Sequence, residues 1–421
     1  MRYRFCIPVF VFILILSTLI QSVAFSSPAA PVRLMVVSDI HYLSPSCYEE
    51  SNGLFLSVLS RSDGKMTQYS RELLDALLEE VRYQCPDGLL VLGDLSFNGE
   101  YVSHQELASA FCMLQAEGIP VWVIPGNHDI NVQNPLAFTA YSYSITRNTS
   151  AREFADIYAP FILAPESSSA NLSYIVPVSD HLWIAMCDAA IYETAAATPG
   201  YYSSGHQAWM KKVLSQASDA GAQVIAATHQ SMIPHTDFLN ESMTVWNGEK
   251  MTEDMRNSGC SRLNLSGHLH IQHISEDHGI YDIATGAFSV PPFRYGMLEI
   301  EENGAISYEA KELHEEYLPA EISIQAKTWF EDVFVTKQHS GLDGLMLSES
   351  EKEALLSLAA RMNHAYFRGD LHLNAHIWES DPAWALFQQV HDQVPLVSYL
   401  WEQLNSPENQ QDSLFLYIPA L

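Results

Sequence analysis

The chain is 421 residues long, 48% hydrophobic and 17% charged, enough for a large globular domain and a smaller second unit. Its 21 Lys and Arg stand against 50 Asp and Glu, a formal net charge of −29. That balance excludes proteins that bind by neutralising phosphate backbones or anionic surfaces, so no binding of duplex nucleic acid is expected. Any phosphate handled here needs a local positive charge, for which a metal ion is the obvious source.

In chain order, Arg2 and Arg4 precede an almost unbroken apolar stretch from Phe5 to Ile20, with Ala24 and Ser26 at cleavage-like positions. Residues 1–26 read as an export signal or, if uncleaved, as a membrane anchor. Either way the rest of the chain is expected outside the cytoplasm: secreted, cell-surface or periplasmic. Beyond Cys6, the cysteines at 47, 85, 112, 187 and 260 show no C-x-x-C spacing, which argues against a zinc knuckle and leaves room for one disulfide of unassigned partners. Asn148, Asn171, Asn240 and Asn264 each open an N-x-S sequon, meaningful only in a eukaryotic secretory route.

From 31 to 313 short apolar runs alternate with helical patterns. "RLMVVSD" (33–39), "GLLVLGD" (88–94) and "PVWVIPGN" (120–127) read as strands. Between them, Leu73, Leu74, Leu77, Leu78 and Val81 form a helical stripe, and 104–118 reads as a helix stopped by Gly118. Residues 131–171 look like an insertion, helical around Ala151 to Tyr158. Strands near 172–178 and 182–187, a helix near 205–217 and a strand at 222–228 follow. Short strands dominate from 260 to 313, and a helical region runs from 318 to 421, clearest at 349–367. The reading is an α/β core with a helical C-terminal segment that packs on the flank of the sheet rather than capping a cleft. The sequence assigns no oligomeric state.

Five core strands end in metal-capable residues: Asp39 and His41; Asp94; Asn127 and His128; His229; and His268 and His270. Ligands gather at the carboxyl ends of strands in an open α/β sheet, so these ends are expected to converge. Singly, each has an ordinary explanation, such as a turn aspartate or a packed histidine. H-x-H read as one strand puts both imidazoles on one face. Carboxylate, imidazole and amide oxygen without thiolate suit Mn, Fe or Zn. Seven candidate ligands exceed one ion's coordination and suit two ions sharing a carboxylate, a known device for attack on phosphorus.

D-x-H, G-D, G-N-H-D, a lone His and G-H-x-H in this order resemble the calcineurin-like metallophosphoesterases over residues 33 to 313. The resemblance implies a layered α-β-β-α sandwich of the metallo-dependent phosphatase type. It implies that Asp39, His41 and His270 hold one metal, Asn127, His229 and His268 the other, and Asp94 bridges them. His128 is then the catalytic non-ligand, an acid or transition-state stabiliser, and a metal-bridging hydroxide attacks phosphorus directly. Purple acid phosphatases place Tyr three residues after the bridging Asp, where this chain has Phe97; the Arg-bearing motifs of protein Ser/Thr phosphatases are missing from "GDLSFNGEYVSH". The chain looks closer to bacterial cyclic-nucleotide phosphodiesterases, so small phosphodiesters or nucleotides are the expected substrates. Phosphomonoesters, phosphoproteins and lipid head groups are the alternatives, with a non-catalytic metal-bound scaffold as a further one. Asn98, His104, Arg147, Arg152 and His235 are candidate substrate contacts; Asp129 steers either the turn or the imidazole of His128.

Overall fold

A computed structural model of the chain describes residues 31–139, 141–163, 171–192, 198–236, 243–406 and 412–417. The N-terminal segment read as an export signal lies outside the described residues. Among those described, no helix is long and apolar enough to cross a membrane.

Two six-stranded sheets lie face to face. In the first, β1 (Val32–Val37), β2 (Gly88–Leu92) and β3 (Val121–Ile124) run parallel. All five residues of β2 are buried, which is why its sequence is a continuous apolar run. Inside the insertion β4 (Leu136–Ala137) and β5 (Ser144–Ile145) form a small hairpin. The second sheet has the order β10-β11-β9-β8-β7-β6. It is built from β6 (Tyr174–Ser179), β7 (Leu182–Cys187), β8 (Gln223–Thr228), β9 (Ser261–Ser266), β10 (His273–Asp277) and β11 (Ile280–Ala284). The chain then returns to the first sheet as β12 (Arg294–Ile300), antiparallel to β1, and β13 (Ala305–Glu312). One apolar core joins the facing sheets, with Leu34, Val91 and Leu298 from the first and Ile184, Ile225 and Leu265 from the second.

Eleven helices are described. A short α1 (Gly53–Leu59) follows β1, and α2 (Ser70–Gln84) and α3 (Tyr101–Ala116) cover the first sheet. In the insertion α4 (Ala151–Ile157) begins at a Ser150/Glu153 capping box. The second sheet is covered by α5 (Ser204–Ala220) and α6 (Gly248–Ser258), through Trp209, Met210, Met251 and Met255. The architecture is therefore the expected layered α-β-β-α sandwich. The C-terminal region is helical, with α7 (Ala320–Gln338), α8 (Glu349–Arg368), α9 (Ala375–Glu379), α10 (Trp384–Val390) and α11 (Pro395–Asn405). It differs from the sequence reading in two respects. Its last element is a strand, β14 (Ser413–Tyr417), which pairs with β13 at the sheet edge. And its own core includes Leu269 and Ile271, so the helices pack against the loop after β9 and not only on a flank.

The five cysteines from Cys47 to Cys260 are free. Asn264 is fully buried and bonded to Asp282 and Thr228, so its sequon is closed to modification in the folded chain. His206 is fully buried, stacks on Tyr202 at 4.4 Å and is pushed down to about 3 by burial. It stays neutral in the fold but takes a proton in the unfolded chain below about pH 6.5, so its contribution to stability is present above that pH and is lost as pH falls toward 3. Between pH 7 and pH 5 the wild type is expected to lose about 2 kcal/mol more stability than His206→Asn, measured by urea titration at each pH. Equal losses would show that His206 does not titrate on unfolding.

Candidate metal centre

The segments after β1, β2, β3, β8 and β9 meet at one end of the sandwich, so the site draws on both sheets. Asp39, His41, Asp94 and His270 form one group able to hold a metal ion, and Asp94, His229 and His268 form another. All are buried. In the first group, His41 Nε2 lies 3.3 Å from His270 Nε2 and 3.7 Å from Asp94 Oδ2, and His270 Nε2 lies 3.2 Å from Asp39 Oδ1. In the second, His229 Nε2 is 3.3 Å from Asp94 Oδ1 and 3.1 Å from Asn127 Oδ1. The structure thus brings together all seven ligand candidates and places one carboxylate, Asp94, in both groups.

The backbone at these positions is unusual. Asp39, His41, Asp94, His268 and His270 have φ of 54°, 46°, 49°, 67° and 59°. Left-handed backbone costs a residue with a Cβ about 1–2 kcal/mol, and such strain clusters at functional sites. It also corrects the reading of G-H-x-H: β9 ends at Ser266, and the two histidines sit on the following loop, not on one strand face. His268 therefore joins one group and His270 the other. The glycines before the ligands are explained by close approach. A Cβ on Gly93 would lie 2.6 Å from His229 Nδ1, and one on Gly126 would collide with Asp94 Oδ1.

These groups fit metal ions better than they fit one another. Asp39 Oδ1 and His268 Nε2 are buried without a hydrogen bond. His41 Nε2 and His270 Nε2 converge at 3.3 Å, with Asp39 Oδ1 3.9 Å from the first and 3.2 Å from the second. In the chain alone, protonated imidazoles carry the positive charge the carboxylates demand. Burial works against it, yet Asp94 holds His229 up at about 9 and Asp63 holds His270 up at about 9. Burial takes His268 down to about 3 and leaves His41 well below its usual value. Four imidazole nitrogens, two carboxylates and an amide oxygen are a donor set for Mn, Fe or Zn.

His128 stands apart from the seven. Its backbone N–H donates to Asp94 Oδ1 at 2.8 Å, and its ring lies edge-on to His41 with centroids 5.0 Å apart. Its Nδ1 is 2.8 Å from Asn98 Oδ1 and 3.1 Å from the Phe97 carbonyl. Both partners only accept, so Nδ1 carries the proton and Nε2 is left for another partner. Asn98 is therefore placed as the partner that orients His128. Asp129 is settled as the holder of the turn: it accepts from the backbone N–H of Leu95, Ser96 and Gly126 at 3.1, 2.9 and 2.8 Å, tying the loop after β2 to the loop after β3.

The other substrate candidates lie elsewhere. His104 is buried between Tyr158 and the Asp129 carbonyl. Arg147 pairs with Glu153 over the ring of Tyr101, and Arg152 is exposed beside Asp156. His235 packs on His273, Nδ1 to Nδ1 at 2.9 Å. Phe97 is buried in a small apolar cluster with Leu43 and Phe55.

Sequence reasoning missed Asp63. It lies between α1 and α2, accepts a short hydrogen bond from His270 Nδ1, and pairs with Lys65 Nζ at 3.3 Å. A carboxylate on the far nitrogen of a ligating imidazole fixes its tautomer and orientation. Only a D-G turn marked this position in the sequence.

A family model described as calcineurin-like phosphoesterase matches residues 32–272. A curated protein of Psychrobacter arcticus named "Probable cyclic nucleotide phosphodiesterase" is 22% identical over 301 residues, covering 67% of this chain and 94% of that protein. The crystal structure of a dimetal phosphatase from Danio rerio superposes with a TM-score of 0.50 at 14% identity, over 68% of this chain and 98% of the other, which bears on the fold alone. The matched segment contains every residue of both ligand groups and spans more than half of the chain. The chain belongs to the calcineurin-like phosphoesterase family and is a hydrolase of phosphate esters.

Proposed function

We propose that the protein is a dimetal phosphodiesterase acting on small phosphodiesters or nucleotides. The observation that carries the dimetal reading is the pair of ligand groups sharing Asp94. Asp39, His41 and His270 would hold one ion, Asn127, His229 and His268 the other, with Asp94 between them and Mn, Fe or Zn as the metals. Bound ions supply the positive charge that stabilises phosphoryl oxygens and lower the pKa of water. The diester preference is supported by the relative named a probable cyclic nucleotide phosphodiesterase, which this chain spans almost end to end.

The chain's own residues have separable tasks. His128, with Nδ1 committed to Asn98, presents Nε2 to substrate. It delivers a proton there only as the imidazolium, a form that burial disfavours and Asp94 favours. Asp94 anchors the His128 backbone and would also hold the metal ions, which would tie His128 to the site where they bind. Asp63 holds His270. Asp63→Asn is expected to weaken the ion held by His270 by about 10–100-fold, read by Mn titration under calorimetry, with the second site spared. Equal weakening at both sites would remove this role. The remainder of the chain is proposed to act outside the cytoplasm, exported by the segment before residue 27 or anchored by it.

The function is tested on the chain without residues 1–26, loaded with Mn. Turnover of an aryl phosphodiester is compared with that of the matching monoester, each with and without chelator. A chelator-sensitive preference for the diester is expected. Preference for the monoester would replace the diesterase reading with a phosphatase one.

A further inference from the structure

A cavity of about 210 Å³ lies beside the metal centre, between the loop holding Asp63 and the C-terminal helices. It is outside the family match on three of its sides, because α7, α8 and α11 build them. Its walls are aromatic: Phe330 and Phe334 on α7, Tyr366 and Phe367 on α8, and Tyr399 on α11, with Leu269 contributed by the loop between His268 and His270. The rings are fixed against one another, with Phe330 and Phe367 centroids 4.9 Å apart and those of Tyr366 and Tyr399 5.7 Å apart. The fourth side is Asp63, whose carboxylate accepts from His270. The cavity is thus separated from the metal ligands by one hydrogen bond.

Two features say what chemistry suits it. Asn363 lines the cavity, is only 5% exposed, and its side chain makes no hydrogen bond to any described residue. Its side-chain amide, with one acceptor and two donors unused by the chain, is available to a ligand in the cavity. At the rim Lys337 is exposed and has no ion pair among the described residues. Aromatic walls offer stacking, the amide offers a complementary hydrogen-bonding edge, and the cation lies where a polar or anionic portion would emerge. An acyl chain would fill the walls but leave Asn363 unsatisfied. A planar heterocycle with its own donors and acceptors satisfies both.

We propose that this cavity binds the base of a nucleotide substrate, with the base stacked among the α7 and α8 rings and its edge on Asn363. The proposal rests on the phosphodiesterase reading and deepens it, by placing the selectivity for the organic group in the C-terminal helices. The loop bearing Asp63 is itself locked to them: Trp329 Nε1 donates to the Lys65 carbonyl at 3.3 Å, and any side chain at Gly64, φ 93°, would run into the ring of Phe330. A filled cavity and a well-placed His270 therefore share a wall.

The test is made in two arms on the chain without residues 1–26. In the first, adenosine, guanosine, cytidine and uridine are titrated calorimetrically into protein stripped with chelator, so that no phosphate or metal contributes. At least one nucleoside is expected to bind at a single site, roughly tenfold more weakly in Asn363→Leu. In the second, with Mn restored, Asn363→Leu is expected to raise KM for a 2′,3′- or 3′,5′-cyclic nucleotide roughly tenfold more than for an aryl diester that lacks a base. Gln338→Trp, changed at a half-exposed rim position, blocks the entrance without altering the core and should reproduce both results if Asn363→Leu fails to fold. Nucleoside binding unaffected by either variant, or no nucleoside binding at all, overturns the base pocket. If the base pocket fails while the aryl diester is still hydrolysed, the diesterase reading stands alone; if nucleosides bind but no diester is hydrolysed, that reading falls and the pocket remains.

Discussion

Asp94→Ala is expected to release both metal ions together and to lower turnover by about a thousandfold or more, which corresponds to several kcal/mol of transition-state stabilisation. The reason is its membership of both ligand groups: His41 Nε2 approaches one of its oxygens at 3.7 Å and His229 Nε2 the other at 3.3 Å. Removing a ligand that belongs to one group, as in Asp39→Ala or Asn127→Ala, should instead leave one ion per chain. Metal content by elemental analysis after dialysis distinguishes the cases. One tightly retained ion in Asp94→Ala would mean that the groups are independent and that Asp94 does not bridge. The carboxylate also accepts the His128 backbone N–H, so Asp94→Ala frees the Asn127–His128 turn at the same time. Asp94→Asn, which keeps an oxygen for that bond, separates loss of charge from loss of the turn.

The second large effect is expected from His128→Asn, a fall in turnover of about 10²–10⁴-fold with both metals retained. His128 makes its backbone contact with Asp94 through the N–H, which any residue supplies, so the substitution leaves the ligand geometry in place. What it removes is an imidazole whose Nδ1 is spoken for by Asn98 and whose Nε2 is free to serve substrate. An acid matters most when the leaving group is a poor one. The deficit should therefore shrink for nitrophenyl diesters, which depart as stable anions, and be greatest for alkyl diesters. A deficit independent of leaving group would assign His128 to charge stabilisation on the phosphoryl oxygens rather than to protonation. Equal turnover of variant and wild type would take it out of the reaction altogether.

Much of this was legible because strand-forming and ligand-bearing residues are adjacent in the chain. The apolar runs within β1, β2, β3 and β8 are largely buried, so they appear as hydrophobic stretches, and Asp39, Asp94, Asn127 or His229 follows each strand within three residues. Helix α2 is visible from its stripe and α5 as a helical pattern near 205–217, whereas α6, with a polar sequence that buries Met251 and Met255, is not. The fold overturns one strand face as the geometry of His268 and His270: left-handed backbone at both sends the two rings to different groups, the division that the family resemblance implies. Nothing in a sequence pattern pairs Asp63 or Asn98 with its histidine, because each acts on a ring far along the chain, 207 and 30 residues away.

By itself the sequence determined the order of the ligand-bearing core strands, the identity of the seven ligand candidates and the need for positive charge in an acidic chain, since all three are carried by local composition and spacing. Only the tertiary structure decided that His268 and His270 leave a left-handed loop rather than one strand face, that Asp63 backs His270, and that the C-terminal helices reach the loop between those histidines. Those are facts of contact between segments remote in sequence. They depend on how the two sheets face each other and on which side of each backbone turn a side chain leaves, and neither is encoded in any short stretch of residues.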